Sequence, residues 1–552
     1  MNNARSAGSP VAAIFWLAFL ALPSSSVFAQ SSIPESADET AAPDPPQTNY
    51  YKGKGPGKNN SYAERYEEDY AYLRDPDKSN DIFDPLKFIP LDRDGYVYLT
   101  LNGELRFRYD NIDHRRFGVA PSAVPATTPG GSPTYGTATA ASTSELYRQR
   151  YMLGGDLHIG PGFRAYAEFY HGQETGHNVG GTVPGKQRND VALVNGFAEF
   201  YGFDDEAKTG IRAGRQEVFL GNNLQVRTNH SPNLPWPMFD GFRAYRDWGS
   251  ARVELFGYDI VNFANGVPQD RDNPRTNLWG VYGSQDLPPM SVAGIDMKTS
   301  LDLFYIGWRS SPFAGARGSG VYDDRALLTG AKIVASTGGG FLASQDHRHS
   351  FGLRADGMIA KVDYDWQAAV QTGSYAGLTV DAFAFNTDTG YAFAEAPWKP
   401  RIGVHVDAAS GGADKNGGTI STYQPMYPQT QYYAPNQQFA PTNFYDFSPR
   451  LRLSPAPGLT IDCYYAFYWR YSEADAIYRG GWSGADGPNS YAVTVLSRGR
   501  EIGRQIDLRL TWNIAAHVSS QAEVGIFYPG SALRVAGGKT TTYLNANVTY
   551  KF

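Results

Sequence analysis

Arginines recur two residues apart in this chain: Arg106 with Arg108, Arg148 with Arg150, and Arg450 with Arg452. Side chains on a strand alternate between its two faces, so a spacing of two puts both guanidinium groups on one side. Guanidinium rows suit carboxylates, because the planar fork donates parallel hydrogen bonds to a pair of anionic oxygens. Arg243, Arg354, Arg401 and Arg509 fall on the same phase of their own segments, as do Arg164 and Arg252. Carboxylates share those faces, among them Glu104, Asp156, Asp363, Asp365 and Asp507. Each arginine therefore has two readings. It pairs with an acid on a neighbouring strand and braces a wall, or it meets an anion passing along that wall. Inward acids nearly match inward bases in number, and the sequence leaves both readings open.

Other constellations are weaker. Asp346-His347-Arg348-His349 is a metal candidate only by composition, and Gly338-Gly339-Gly340 lacks the preceding strand and the Lys-Ser/Thr of a phosphate loop. No nucleophile–base pairing suggests a hydrolase, so no enzyme, metal or cofactor is expected. The single cysteine, Cys463, excludes an internal disulfide and a cysteine metal cluster. A net charge of −6 gives no signal for nucleic acid.

The elements that hold these residues are strands. Val97, Leu99, Leu101, Leu105, Phe107 and Tyr109 share one face, while Glu104, Arg106, Arg108 and Asp110 share the other. The alternation returns at 148–159, 251–255, 361–370, 401–407, 461–470 and 506–512. Lipid accepts the apolar face and not the charged one, since a mid-bilayer arginine on the lipid side costs about 2–4 kcal/mol. A chain that is 14% aromatic yet 19% charged fits this division, with aromatic residues toward lipid and polar ones inside. A β-sandwich also alternates, but its solvent face rarely carries so many aromatic and arginine residues. Short turns, such as Gly160-Pro161-Gly162, 204–208 and Asp356-Gly357, alternate with long connections at 111–144, 173–189, 220–237, 310–346, 410–441 and 473–499. Within the 410–441 connection, the stretch from Tyr423 to Tyr433 reads as a folded outer loop or a sugar-stacking surface. The expected fold is all-β: a single transmembrane antiparallel β-barrel over residues 95–552. About seventeen strands are clear, and both ends on one side require an even number. The missing strand is expected near Leu278–Tyr282 or in the stretch that follows before Leu301, giving 18. A barrel of that size can enclose an aqueous channel.

Residues 1–29 read as a secretory signal peptide, with Arg5, an apolar run from Val11 to Leu22 and Val27-Phe28-Ala29 before Gln30. The run is about 12 residues, short of the roughly 20 a spanning helix needs. Residues 30–94 read as a disordered leader and an irregular periplasmic lead-in, with Phe83-Asp84-Pro85-Leu86 packing on the barrel. The strand ending Leu544-Asn545-Ala546-Asn547-Val548-Thr549-Tyr550-Lys551-Phe552 is expected to close the barrel against the strand that carries Arg106 and Arg108.

Several segments resemble the alginate export family of outer-membrane porins. They are Gly210-Ile211-Arg212-Ala213-Gly214-Arg215-Gln216-Glu217 with Gly221, Phe239-Asp240-Gly241-Phe242-Arg243, Leu301-Asp302-Leu303-Phe304-Tyr305, His349-Ser350-Phe351-Gly352-Leu353-Arg354, and Gly525-Ile526-Phe527-Tyr528-Pro529-Gly530. The Gly-Arg-Gln and Phe-Asp-Gly-x-Arg elements are the most specific. The resemblance implies an 18-stranded monomeric barrel in the outer membrane of a Gram-negative cell, in contact with lipid. It also implies an arginine-lined lumen passing an anionic polysaccharide such as alginate, or a related acidic solute, by passive diffusion. A porin for uptake of small solutes is the alternative, and a periplasmic scaffold of a secretion complex is a conceivable partner.

Overall fold

The computed structural model describes residues 65–552 apart from 69, 115, 119–142, 178–187, 205–206, 223, 231–232, 264–265, 268–269, 311–344, 376–377, 413–417, 429–431, 434–439, 474, 476, 480–490, 495–498 and 536. The signal peptide, the leader and Gly338–Gly340 lie outside the described residues.

Eighteen long strands form one closed antiparallel barrel. They are β1 Val97–Asp113, β2 Ser144–Ile159, β3 Phe163–His177, β4 Asn189–Phe203, β5 Lys208–Gln216, β6 Phe239–Asp247, β7 Ala251–Asn262, β8 Arg271–Asp286 and β9 Ile295–Ser310. The second half runs β10 Asp346–Ile359, β11 Val362–Tyr375, β12 Leu378–Ala392, β13 Arg401–Ala409, β14 Phe444–Ala456, β15 Leu459–Arg470, β16 Glu501–Ala515, β17 Val518–Pro529 and β18 Thr541–Lys551. The missing strand expected near Leu278–Tyr282 is β8. Closure follows the expected pairing: in the β1–β18 seam Arg106 lies opposite Thr549 and Arg108 opposite Asn547.

Alternation sorts the side chains as lipid requires. Phe107, Leu153, Leu255, Leu303, Phe351 and Leu508 are exposed on the outer face, and their charged neighbours are buried inside. One expected turn is corrected. Asp356-Gly357 is not a turn; β10 runs on to Ile359, and the chain reverses at Ala360-Lys361, where Ala360 takes φ 53°. Gly357 serves a close approach between strands instead, since a Cβ there would lie 2.0 Å from the Lys298 carbonyl oxygen.

The lead-in docks at the short-turn end. A one-turn helix, α1 (Asp84–Lys87), leads into a short strand, Ile89–Pro90, paired with Leu99 and Tyr98 of β1. Phe83 packs on the barrel as expected, its ring 5.3 Å from that of Phe552 and 4.8 Å from His517. Phe552 and Gly103 exchange backbone hydrogen bonds of 3.1 Å. A Cβ on residue 103 would lie 2.4 Å from the Phe552 ring, so glycine there lets the ring lie flat against the strand. Lys87 Nζ donates to the Leu101 carbonyl at 3.1 Å and sits over the Phe552 ring. Burial brings its ammonium down to about 8, against the pull of Glu68.

Two connections at the opposite end fold inward. The described parts of 217–238 and of 410–443 meet each other: Arg227 N donates to the Tyr427 carbonyl, and Tyr427 N to the Gln225 carbonyl. They pack on inward apolar residues of the wall. Val218, Val226, Met426 and Tyr427 share a cluster with Phe256, Tyr258, Phe304 and Trp308. The described residues of the Tyr423–Tyr433 stretch are thus a folded part of this connection turned inward, not an open stacking surface. Tyr423, Tyr427 and Tyr433 are buried inside, where burying large aromatic faces stabilises the fold more than exposing them to water does.

Candidate functional site

Parity turns every predicted basic residue toward the barrel interior, and register decides what each one meets. On β1 and β2, Arg106 lies directly opposite Arg150, and Arg108 opposite Arg148. Like charges so placed repel, and carboxylates resolve the conflict. Arg108 grips Asp110 with Nε at 2.9 Å and Nη2 at 2.7 Å, and Arg148 bridges Asp110 at 2.7 Å and Glu174 at 2.6 Å. One step toward the short-turn end, Arg150 pairs with Glu104, which Lys551 approaches to 3.5 Å. Arg106 donates to the carbonyl of His230 in the inward segment at 2.6 Å, and Arg150 to the same oxygen at 3.2 Å.

A third tier lies nearest the termini. Arg164 Nε donates to Glu199 at 2.7 Å, and Arg212 Nη2 to the same carboxylate at 3.0 Å. Asp156 pairs here with Arg164, at 3.3 Å. Into this tier the lead-in inserts Tyr66 and Glu67. Arg164 Nη1 donates to the Tyr66 carbonyl at 2.6 Å, and the Tyr66 ring meets Tyr166 and Phe197 edge-on. Arg212 Nη2 and Arg243 Nη2 stand 3.3 and 3.4 Å from Glu67 Oε1. Burial raises the Glu67 carboxyl, but the Arg212, Arg243 and Arg164 guanidiniums outweigh it and hold the group below its ordinary 4.5. Arg212 was not among the residues singled out by paired spacing. Its signal was the alternation of Ile211 and Ala213 outward with Arg212 inward. Nothing in the sequence places Glu67 beside it.

Across the barrel the remaining arginines expected from the sequence are braced by acids. Arg354 contacts Asp365 at 2.7 Å, Asp302 at 2.9 Å and Asp356 at 3.0 Å. Arg401 pairs with Asp363 and, at 2.6 Å, with Asp388, which Arg450 also approaches to 3.2 Å. Arg452 pairs with Asp462 at 2.6 Å and Arg509 with Glu523 at 3.0 Å. Asp507 departs from the expected pattern: it accepts from the amide of Gln505, at 2.8 and 2.9 Å, rather than from an arginine. The Asp346-His347-Arg348-His349 run splits by parity. Asp346 and Arg348 pair inside at 2.7 Å while the histidines lie on the other face, so the run cannot converge on one ion.

The sequence profile of the alginate export family matches residues 131–547. Curated proteins give no match. Among solved structures the chain is similar to Pseudomonas aeruginosa OpdK with vanillate, at 11% identity and TM-score 0.49 over 82% of this chain and 98% of that one. Pseudomonas aeruginosa OpdQ matches at 11% identity and TM-score 0.46, over 82% and 97% of the two chains. Acinetobacter baumannii OccAB1 matches at 12% identity and TM-score 0.48, over 82% and 96%. A closed barrel with an apolar exterior and a charged interior, matched over most of its length by one family, identifies the chain as a member of the alginate export family, an outer-membrane channel in contact with lipid.

Proposed function

We propose that this channel passes an anionic polysaccharide, or a related acidic solute, by passive diffusion along arginines of its inner wall. The observation that carries this reading is Glu67. It is a carboxylate brought to the wall from another segment and set against Arg212 and Arg243. A uronate residue presents the same group, so the chain's own side chain stands where a cargo carboxylate would dock. The upper tiers, Arg106, Arg108, Arg148 and Arg150, would continue the path. Their carboxylate partners keep each contact weak enough to release the cargo.

Planar-bilayer recording tests this. The pore is expected to favour anions and to be blocked by oligouronates. Reversing Arg212 and Arg243 together to Glu should weaken the block by about tenfold or more, a loss of roughly 1.4 kcal/mol per tenfold. A cation-selective pore, or equal block in both proteins, would sink the reading. The inward segments around Tyr427 favour a second reading, uptake of small acidic solutes, because they occupy space a polymer would need. Permeation by monouronates but not by longer oligomers would favour this one. The protein is expected to act as a monomer.

A further inference from the structure

At the loop-side end of β13 and β14, three ligand-type side chains converge without the compensation seen elsewhere. His405 and Asp407 share the inner face of β13, and Asp446 of β14 lies directly opposite Asp407. All three are buried, at 0%, 0% and 2% exposure. One imidazole nitrogen and one oxygen from each carboxylate lie within 4.8 Å of one another. Asp407 has partners, accepting from Thr387 N at 3.2 Å and lying against His405. Among the described residues neither carboxylate oxygen of Asp446 has a hydrogen-bond partner, and neither has His405 Nδ1, which faces Asp388 Oδ2 at 3.9 Å. A buried carboxylate without a donor is costly.

Charge points the same way. Four carboxylates, Asp363, Asp388, Asp407 and Asp446, face two guanidiniums, Arg401 and Arg450, in this corner. Arg401 is engaged by Asp363 and Asp388, and Arg450 by Asp388 and the Tyr432 carbonyl at 3.2 Å. Two carboxyl groups, those of Asp407 and Asp446, remain without a guanidinium of their own, with an imidazole beside them.

We propose that His405, Asp407 and Asp446 bind a divalent transition metal, with Zn2+ as the best-matched ion. Imidazole with two carboxylates suits Zn2+, whereas Ca2+ and Mg2+ favour all-oxygen shells. Bonds of about 2.0–2.2 Å would hold the ligand atoms about 3.3 Å apart, so Asp446 needs to draw in by about an ångström while the His405–Asp407 contact opens to admit the ion. Three protein ligands leave a fourth position for water. The ion would sit beneath the inward segment: the His405 ring lies 4.1 Å from that of Tyr432, and Tyr433 is held by Asn386 at 3.0 Å and by Tyr468 at 2.7 Å. Metal binding would therefore pin the inward tyrosines to the wall.

The test uses the full barrel in detergent, stripped with chelator, loaded with Zn2+ and desalted, with bound metal read by mass spectrometry and the thermal transition recorded in parallel. One equivalent retained by the wild type, with a raised transition, and its loss in both Asp446→Asn and His405→Gln is the expected result. Variants that keep the wild-type strand signature by circular dichroism keep the comparison valid if one of them folds poorly. A His347→Ala/His349→Ala variant, altering the outward histidine pair, should retain the ion. No retained Zn2+ in the wild type, retention unchanged in either inner variant, or loss in the outward pair would overturn the site.

Discussion

The wall formed by β1 and β2 and the wall formed by β13 and β14 pose the same problem and answer it differently. In the first, arginine stands opposite arginine, Arg106 against Arg150 and Arg108 against Arg148. In the second, aspartate stands opposite aspartate, Asp407 against Asp446. The first wall carries its own remedy, because Asp110, Glu174 and Glu104 reach the guanidiniums at hydrogen-bonding distance. The second has the His405 imidazole and two arginines engaged with Asp388. Among the described residues, Asp110, Glu174 and Glu104 of the first wall each meet a guanidinium, and Asp446 of the second has no donor. Parity assigns a charge to the interior; only cross-strand register reveals whether its opposite number is a friend.

The largest test breaks the complete wall. Arg148→Ala removes the bridge between Asp110 and Glu174 and leaves two buried carboxylates short of a partner, a loss of about 3–5 kcal/mol. The urea midpoint of the barrel in detergent should fall accordingly; an unchanged midpoint would mean that water reaches this tier freely. On the second wall the same kind of change should carry the opposite sign. In metal-stripped protein, Asp446→Asn replaces a buried carboxyl that lacks a donor with an amide that can donate toward Asp407, and should raise stability by about 1–3 kcal/mol. A drop there would show that Asp446 is already compensated.

Smaller effects sharpen the role of the third tier. Glu67→Gln takes the resident carboxylate off Arg212 and Arg243, so oligouronate block should tighten by a few-fold, on the order of the 1 kcal/mol of one partly exposed ion pair. Weaker block in this variant would make Glu67 a support for the arginines rather than a stand-in for cargo. The smallest effect is in pH. The Glu67 carboxyl titrates below its ordinary 4.5, so its contribution to docking the lead-in is present above that value and is lost as pH falls through the folded one. Proteolysis near residue 67 should therefore quicken in mildly denaturing acid for the wild type, while Glu67→Gln shows no such step.

Much of the frame was legible in the sequence because lipid enforces a strict two-residue period. The faces of β1, the seam with β18, the eighteenth strand at Leu278–Tyr282 and the docking of Phe83 all follow from side-chain type and position. What escaped depends on contacts far apart in sequence. Asp446 joins His405 only through the β13–β14 register, and Glu67 reaches Arg212 only through the path of the lead-in. The inward course of the two connections escaped for another reason. Phe256, Tyr258 and Phe304 are apolar on the interior phase, a local break in the alternation that signals a covering segment without saying which one. Asp356-Gly357 misled because an Asp-Gly pair is a turn signal by composition, whereas here the glycine admits a neighbouring carbonyl.

The seam at β1 also dictates an order of events. Tyr543 and Asp110 hydrogen-bond across 433 positions of chain, so this pairing carries a large loop-closure cost and should be among the last to form. Until β18 arrives, one edge of β1 has open backbone donors and acceptors, the kind of edge that recruits a wrong partner strand. The short strand Ile89–Pro90 lies close upstream and hydrogen-bonds at Tyr98 and Leu99, the first stretch of β1. The lead-in can therefore shield the start of that edge from the outset, leaving only the stretch from Glu104 to Asp113 to wait for its distant partner. A segment that reads as irregular in the sequence would serve as an early chaperone for the strand that follows it.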